Sequence, residues 1–149
     1  MDGLGFVTLL VVGFTGCAEF GSYAFVHPVI RKLPEREHVF VEQGLLRTFG
    51  RIMPVAMTAC AAVSLVFAFA NDSVPHSWRW AAAGSLIAAL VSTIIFNVPI
   101  NLATGRWDAS NLPADWKKTR NRWELFQGVR SWLLLAGFVL LCAGFANIS

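Results

Sequence analysis

Apolar positions in this chain gather into four long blocks, at about residues 4–30, 52–70, 81–100 and 127–146. A helix crosses a hydrocarbon core with about 20 predominantly apolar residues. The fourth block reaches that length comfortably only when the amphipathic stretch ahead of it, Trp116 to Arg130, is included. The pattern predicts an all-α protein. It is a single four-helix transmembrane bundle over residues 1–149, with helices two and four extended on the cytoplasmic side.

Breaks between the blocks carry matching signals. Pro34 suits the first turn of a helix, and Glu35, Glu37, Glu42, Arg47 and Arg51 make that helix too charged to lie in lipid. It should project from the bilayer or rest on it, with a kink at Pro54 where the apolar continuation begins. Asn71 to Pro75 is turn chemistry, and Trp78 and Trp80 are placed as interfacial anchors. A loop containing Gly105 and Pro113 leads to Asp115, a suitable N-cap for the last helix. No repeat of fixed period appears.

Composition sharpens this picture. The 149 residues are 56% hydrophobic and 14% charged, against about 45–50% and 25% in soluble domains. Eleven of the twelve Lys and Arg residues fall between blocks one and two or between blocks three and four, and only Arg79 falls between blocks two and three. The bias of basic residues to the inner face predicts cytoplasmic loops 1–2 and 3–4 and both termini outside. The net charge of +3 is then explained by asymmetric membrane loops, and nucleic acid is not an expected partner. Cys17, Cys60 and Cys142 lie in apolar blocks with no CxxC spacing, as buried reduced thiols do. Phe14 to Cys17 faintly resembles a lipoprotein cleavage site. No basic residue precedes it and the apolar run continues past it, so block one reads as a retained span.

Polar residues inside the blocks are the candidate chemistry, because charge at the bilayer centre is costly and turns inward. Glu19, Tyr23 and His27 are spaced by four and share one helical face. Gln43, Arg47 and Arg51 repeat that spacing on the second helix. Trp116, Arg120, Trp123, Gln127 and Arg130 alternate steps of four and three on the last. Asn97 and Asn101 flank Pro99, which frees a carbonyl about one turn earlier. Together these residues predict a pocket in the cytoplasmic half, with an Arg-rich, Trp-lined entrance and a Glu-Tyr-His inner wall. Such a pocket suits a flat, partly apolar molecule carrying carbonyl, phenol or acid groups. Three scattered histidines suggest no dedicated metal site. No cofactor is expected, and a haem held by His27 is disfavoured.

The segment Asn97-Val-Pro-Ile-Asn101, a Trp-containing loop, and Trp123-Glu-Leu-Phe-Gln-Gly-Val-Arg130 together resemble the anthrone oxygenase-like family of small four-helix membrane proteins. His27 at the end of the first helix fits the same pattern. Many members are known only as a domain of unknown function. Characterised ones oxidise anthrones to anthraquinones in polyketide secondary metabolism, without a classical flavin or haem. The resemblance places His27, Asn97, Asn101, Trp123 and Arg130 at matching positions. One departure is Gln127, where family members commonly carry a histidine, since glutamine is neither a general base nor a good metal ligand.

The resemblance implies proton removal from an activated carbon, giving an enolate that reacts with oxygen. His27 or Glu19 would be the base. Arg130, Arg51 or Asn97 would hold the enolate oxygen, and Tyr23, Arg47, Asn101, Trp116, Arg120, Trp123 and Gln127 would line the substrate. Two other classes stay open from the residues alone. One is a non-catalytic membrane subunit binding a quinone, lipid or partner protein, and the other is different tailoring chemistry, such as nitrogen-oxide-dependent steps. A transporter suits four short helices only as an oligomer.

Overall fold

The computed structural model describes residues 2–147. The chain runs through α1 (Gly3–Gly21), a π-helical turn (Ser22–Val26), α2 (His27–Ile30), α3 (Glu35–Arg47) and α4 (Phe49–Ala70). It continues through α5 (His76–Ser92), a second π-helical turn (Thr93–Asn97), α6 (Val98–Thr104) and α7 (Trp116–Ala146). Among the described residues four continuous helical stretches are long and apolar enough to cross a membrane: Gly3–Ile30, Phe49–Ala70, His76–Thr104 and Trp116–Ala146. The protein is an all-α, multi-pass membrane protein.

Its outer surface is apolar, with Phe14, Val55, Phe69 and Ile94 largely exposed, as a lipid-facing surface requires. The interior is apolar at one end and polar at the other. Val12, Met57, Cys60, Phe67, Leu86, Leu134 and Leu141 form the apolar core. At the terminal end, Asp2 caps α1 by accepting the Gly5 N–H at 2.7 Å, and Asn71 Nδ2 donates to Asp2 at 3.1 Å. The α4–α5 turn therefore sits beside the N-terminus. At the opposite end, α3 is tied to the α6–α7 loop by Gln43 Nε2, which donates to the carbonyls of Thr104 and Trp107 at 3.0 and 2.8 Å.

Bilayer helices gain nothing from hiding apolar surface from lipid, so close backbone approach and interhelical hydrogen bonds hold them together. α7 is the hub. Ser85 Oγ donates to the Leu133 carbonyl at 2.7 Å, joining α5 to α7. Gly16 brings α1 against α7 so closely that a Cβ there would sit 3.2 Å from the Leu134 carbonyl oxygen. Backbone at that distance cannot give way as a side chain can. Gly16→Val is therefore expected to destabilise the bundle by about 1–3 kcal/mol, the usual cost of overpacking. Gly84→Ala, where nothing lies within 4 Å, is expected to be neutral or stabilising. Thermal unfolding in detergent checks both.

Two backbone features add to the sequence expectation. The second helix breaks at Thr48 (φ −109°, ψ −83°), ahead of Pro54. Restarting at Phe49 places Pro54 early in α4, where the helix absorbs it without a second break. Each of the two interrupted spans also carries a π-helical turn just before a proline. The N–H of His27 reaches back to the Ser22 carbonyl ahead of Pro28, and the N–H of Val98 to the Thr93 carbonyl ahead of Pro99. Such a turn inserts one residue into the helical register, and insertions of this kind often accompany functional sites.

Candidate functional site

The polar end of the bundle holds two buried charge assemblies arranged around the indole of Trp123. In the first, Glu19 is fully buried on α1. Its Oε2 accepts from Arg130 Nε at 3.1 Å and from Gln127 Nε2 at 3.2 Å, with Arg130 Nη2 also 3.1 Å away. Ser131 Oγ donates to the Glu19 carbonyl at 3.3 Å. In the second, Glu42 Oε1 on α3 lies 2.6 Å from Arg120 Nη2, 3.4 Å from His27 Nδ1 and 3.7 Å from His38 Nε2. The Arg120 guanidinium lies over the Trp123 ring at 4.2 Å and that of Arg130 at 5.7 Å. The His27 ring is 4.9 Å from the Trp123 ring. Buried charges persist only when paired and hydrogen-bonded, so both arginines are fixed by their carboxylates.

A cavity of about 570 Å³ opens beside this layer, within the range of small-molecule sites. His27, Glu42, Asn101, Trp123, Gln127 and Arg130 form its polar wall. Leu45, Leu46, Phe49, Met53 and Met57 from α3 and α4, with Thr93, Val98 and Leu102 opposite, make the rest mainly apolar.

The π-helical turns decide which candidates reach this cavity. On α1 the added residue replaces the 19–23–27 stripe. Ser22 and His27 line the cavity, whereas Tyr23 is turned aside, its ring within about 3 Å of where a Cβ on Gly128 would stand. On the third span, Thr93, Val98 and Asn101 face the cavity, and Asn97 is fully buried with its Nδ2 donating to the Trp123 carbonyl at 3.0 Å. Glu19 lies behind Gln127 and Arg130. It holds Arg130 and does not border the cavity.

Arg47 and Arg51 are exposed and neither borders the cavity. Arg47 lies off the α3 face that carries Glu42, Leu45 and Leu46 to the cavity, and Arg51 follows the break at Thr48, which ends the spacing-by-four register from Gln43. Leu46, Phe49, Gly50 and Met53 face inward in their place. On α7 the residues Trp116, Arg120, Trp123, Gln127 and Arg130 do share one buried face, but only the last three of these reach the cavity. Arg120 is spent on Glu42 beneath Trp123. Trp116 packs edge-on against His38 at 5.4 Å and borders a smaller polar recess with Arg36 and Ser110.

Glu42 was missed as a site residue because it lies in a strongly charged helix. The signal was its place on the face that buries His38 and Val39, one turn after His38. The one Glu-x-x-His spacing, Glu35 to His38, points apart, with Glu35 exposed and His38 buried. Among the described residues no group of three or more His, Cys, Asp or Glu side chains is placed to hold a metal.

Burial pushes the Glu42 carboxyl up, but the His27 contact and the Arg120 charge pull it further down, below its ordinary value of 4.5. Burial holds His38 below its ordinary 6.5, opposed by Glu42 and assisted by Arg120, Lys117 and His27. Both groups bind a proton more readily in the unfolded chain. Their contribution to stability is thus fully present above 6.5 and is lost as pH falls, first through His38 and then, below 4.5, through Glu42. Intrinsic-rate-corrected amide exchange in α3 is expected to rise over that window, and His38→Asn should remove its upper part.

The family model described as anthrone oxygenase matches residues 45–140. The chain belongs to the anthrone oxygenase family. No curated protein and no solved structure matches it. The segment matched to the anthrone oxygenase family contributes most of the cavity, including Asn101, Trp123, Gln127 and Arg130. Glu19, His27 and Glu42 precede it, so their place in the site rests on the geometry above.

Proposed function

We propose that this protein is a membrane-embedded oxygenase-type tailoring enzyme that oxidises an activated methylene of a flat aromatic molecule held against Trp123. The observation that carries this reading is the placement of a carboxylate-backed imidazole and a carboxylate-backed guanidinium beside one indole, on the wall of a largely apolar cavity. Apolar walls and Trp123 take the rings. His27, with Nδ1 directed to Glu42, offers Nε2 to the cavity as the base. Arg130 engages Glu19 through Nε and Nη2, which leaves Nη1 for an oxygen of the ligand.

The chemistry follows from those two groups. His27 removes one proton from a methylene flanked by aromatic rings and conjugated with a carbonyl. Arg130 and the Asn101 side chain stabilise the resulting enolate oxygen. The electron-rich carbon then bonds to dioxygen and, once protonated, carries a hydroperoxide. Loss of the second C–H proton with cleavage of the O–O bond yields the carbonyl and water. One methylene and one dioxygen thus become one carbonyl and one water, with dioxygen as oxidant and no electron carrier required. Gln127 fills its position as a hydrogen-bond donor to Glu19, which leaves proton transfer to His27.

Membranes carrying the protein are expected to take up oxygen with an anthrone-type substrate, and deuterium at the methylene should slow turnover. Saturable binding with no oxygen uptake supports instead a non-catalytic binder of quinone-like molecules. The basic end, carrying Arg31, Lys32, Arg106, Lys117 and Lys118, is proposed to face the cytoplasm. In intact cells an impermeant amine reagent should then leave Lys117 and Lys118 unmodified, and modification there inverts the topology.

A further inference from the structure

The cavity differs between its loop side, where hydrogen bonds tie the neighbouring helices together, and its flank, where a lining residue is also exposed. On the loop side Gln43 stitches α3 to the carbonyls of Thr104 and Trp107, and Leu46 meets Gly105, its Cδ1 3.8 Å from where a Cβ would stand. On the flank, Phe49, Gly50 and Pro54 of α4 line one edge of the cavity, and Val98 and Leu102 line the other. Leu102 borders the cavity and is also 60% exposed on the outer surface. Both edges belong to membrane-spanning stretches, Phe49–Ala70 and His76–Thr104. None of these five flanking residues is charged, and Arg106, which also lines the cavity, lies just past the end of α6 beside the loop.

From this we infer that the cavity takes its ligand sideways from the bilayer, through the gap between α4 and α6. The ligand is therefore an apolar molecule that partitions into lipid before it binds. A hydrogen-bonding head would reach His27, Trp123 and Arg130, while its apolar part passes between Pro54 and Leu102. Water-filled entry from the loops would need the Gln43 bonds to open. The inference rests on this cavity being the ligand site, but its test reads access alone and is independent of any turnover.

The test uses a single-tryptophan protein, with Trp78, Trp80, Trp107, Trp116 and Trp132 replaced by Phe, reconstituted in phosphatidylcholine vesicles. A brominated alkane dissolved in the bilayer should quench most of the Trp123 emission, and aqueous iodide little of it. Val98→Phe, which adds a ring at the mouth, should reduce the alkane effect. Stronger quenching by iodide than by the alkane overturns the inference, and quenching that Val98→Phe leaves unchanged places the route elsewhere. A second measurement leaves the tryptophans intact. A nitroxide on Leu102→Cys, with the three native cysteines replaced by Ala, should relax with membrane-dissolved oxygen and not with a water-borne nickel chelate. The reverse preference puts this mouth in water and also overturns the inference.

Discussion

His27→Ala is expected to lower turnover by about 10²–10⁴-fold, the usual contribution of a positioned general base, while the bundle stays folded. The ring is buried on the cavity wall with one nitrogen toward Glu42. Its loss leaves Glu42 still paired with Arg120 at 2.6 Å, so no carboxylate is stranded. Glu42→Gln should give a smaller loss, because the imidazole keeps its place on the cavity wall but loses the carboxylate that orients it at 3.4 Å. A purely structural role for Glu42 would lower the amount of folded protein and leave the turnover of each remaining folded molecule unchanged. Turnover normalised to folded protein in the same membranes separates these outcomes.

Glu19→Ala is expected to cost about 3–5 kcal/mol of stability, the range found when one partner of a buried ion pair is removed. Arg130 would keep its charge with no other carboxylate partner among the described residues, and Gln127 would lose its acceptor. Pairing Glu19→Leu with Arg130→Met should recover much of that loss, since it removes both charges and replaces them with apolar volume. The double variant should still be inactive, because Arg130 also serves the ligand. Unfolding in detergent mixtures measures the first effect and turnover the second. A Glu19→Ala protein as stable as the parent would show that the pair is not buried as described.

Much of the architecture was legible in the sequence for a simple reason. A bilayer demands blocks of a fixed length, and the four blocks announce themselves by hydropathy. The face on α7 was legible too, because α7 is an unbroken helix and steps of three and four hold from Trp116 to Arg130. Elsewhere the same arithmetic failed where the backbone departs from the α-helix. One inserted residue at Ser22–Val26 exchanges Tyr23 for Ser22, and past the break at Thr48 Arg51 lies outside the cavity. The π-helical turns stand just ahead of Pro28 and Pro99, whose missing N–H alters the backbone bonding in a way that no periodicity encodes. Glu42 was hidden differently. In a helix containing Glu35, Arg36 and Glu37 it reads as surface charge, and only the arrival of Arg120 and His27 from other helices makes it part of a buried assembly.

The central claim is that the cavity beside Trp123 is where dioxygen meets a carbanion generated by His27. The most direct measurement is the mass of the product formed under ¹⁸O-labelled dioxygen by membranes carrying the parent protein or His27→Ala. The account predicts one labelled oxygen in the new carbonyl with the parent and almost no product with the variant. Label arriving from water, or equal product from both proteins, would contradict it.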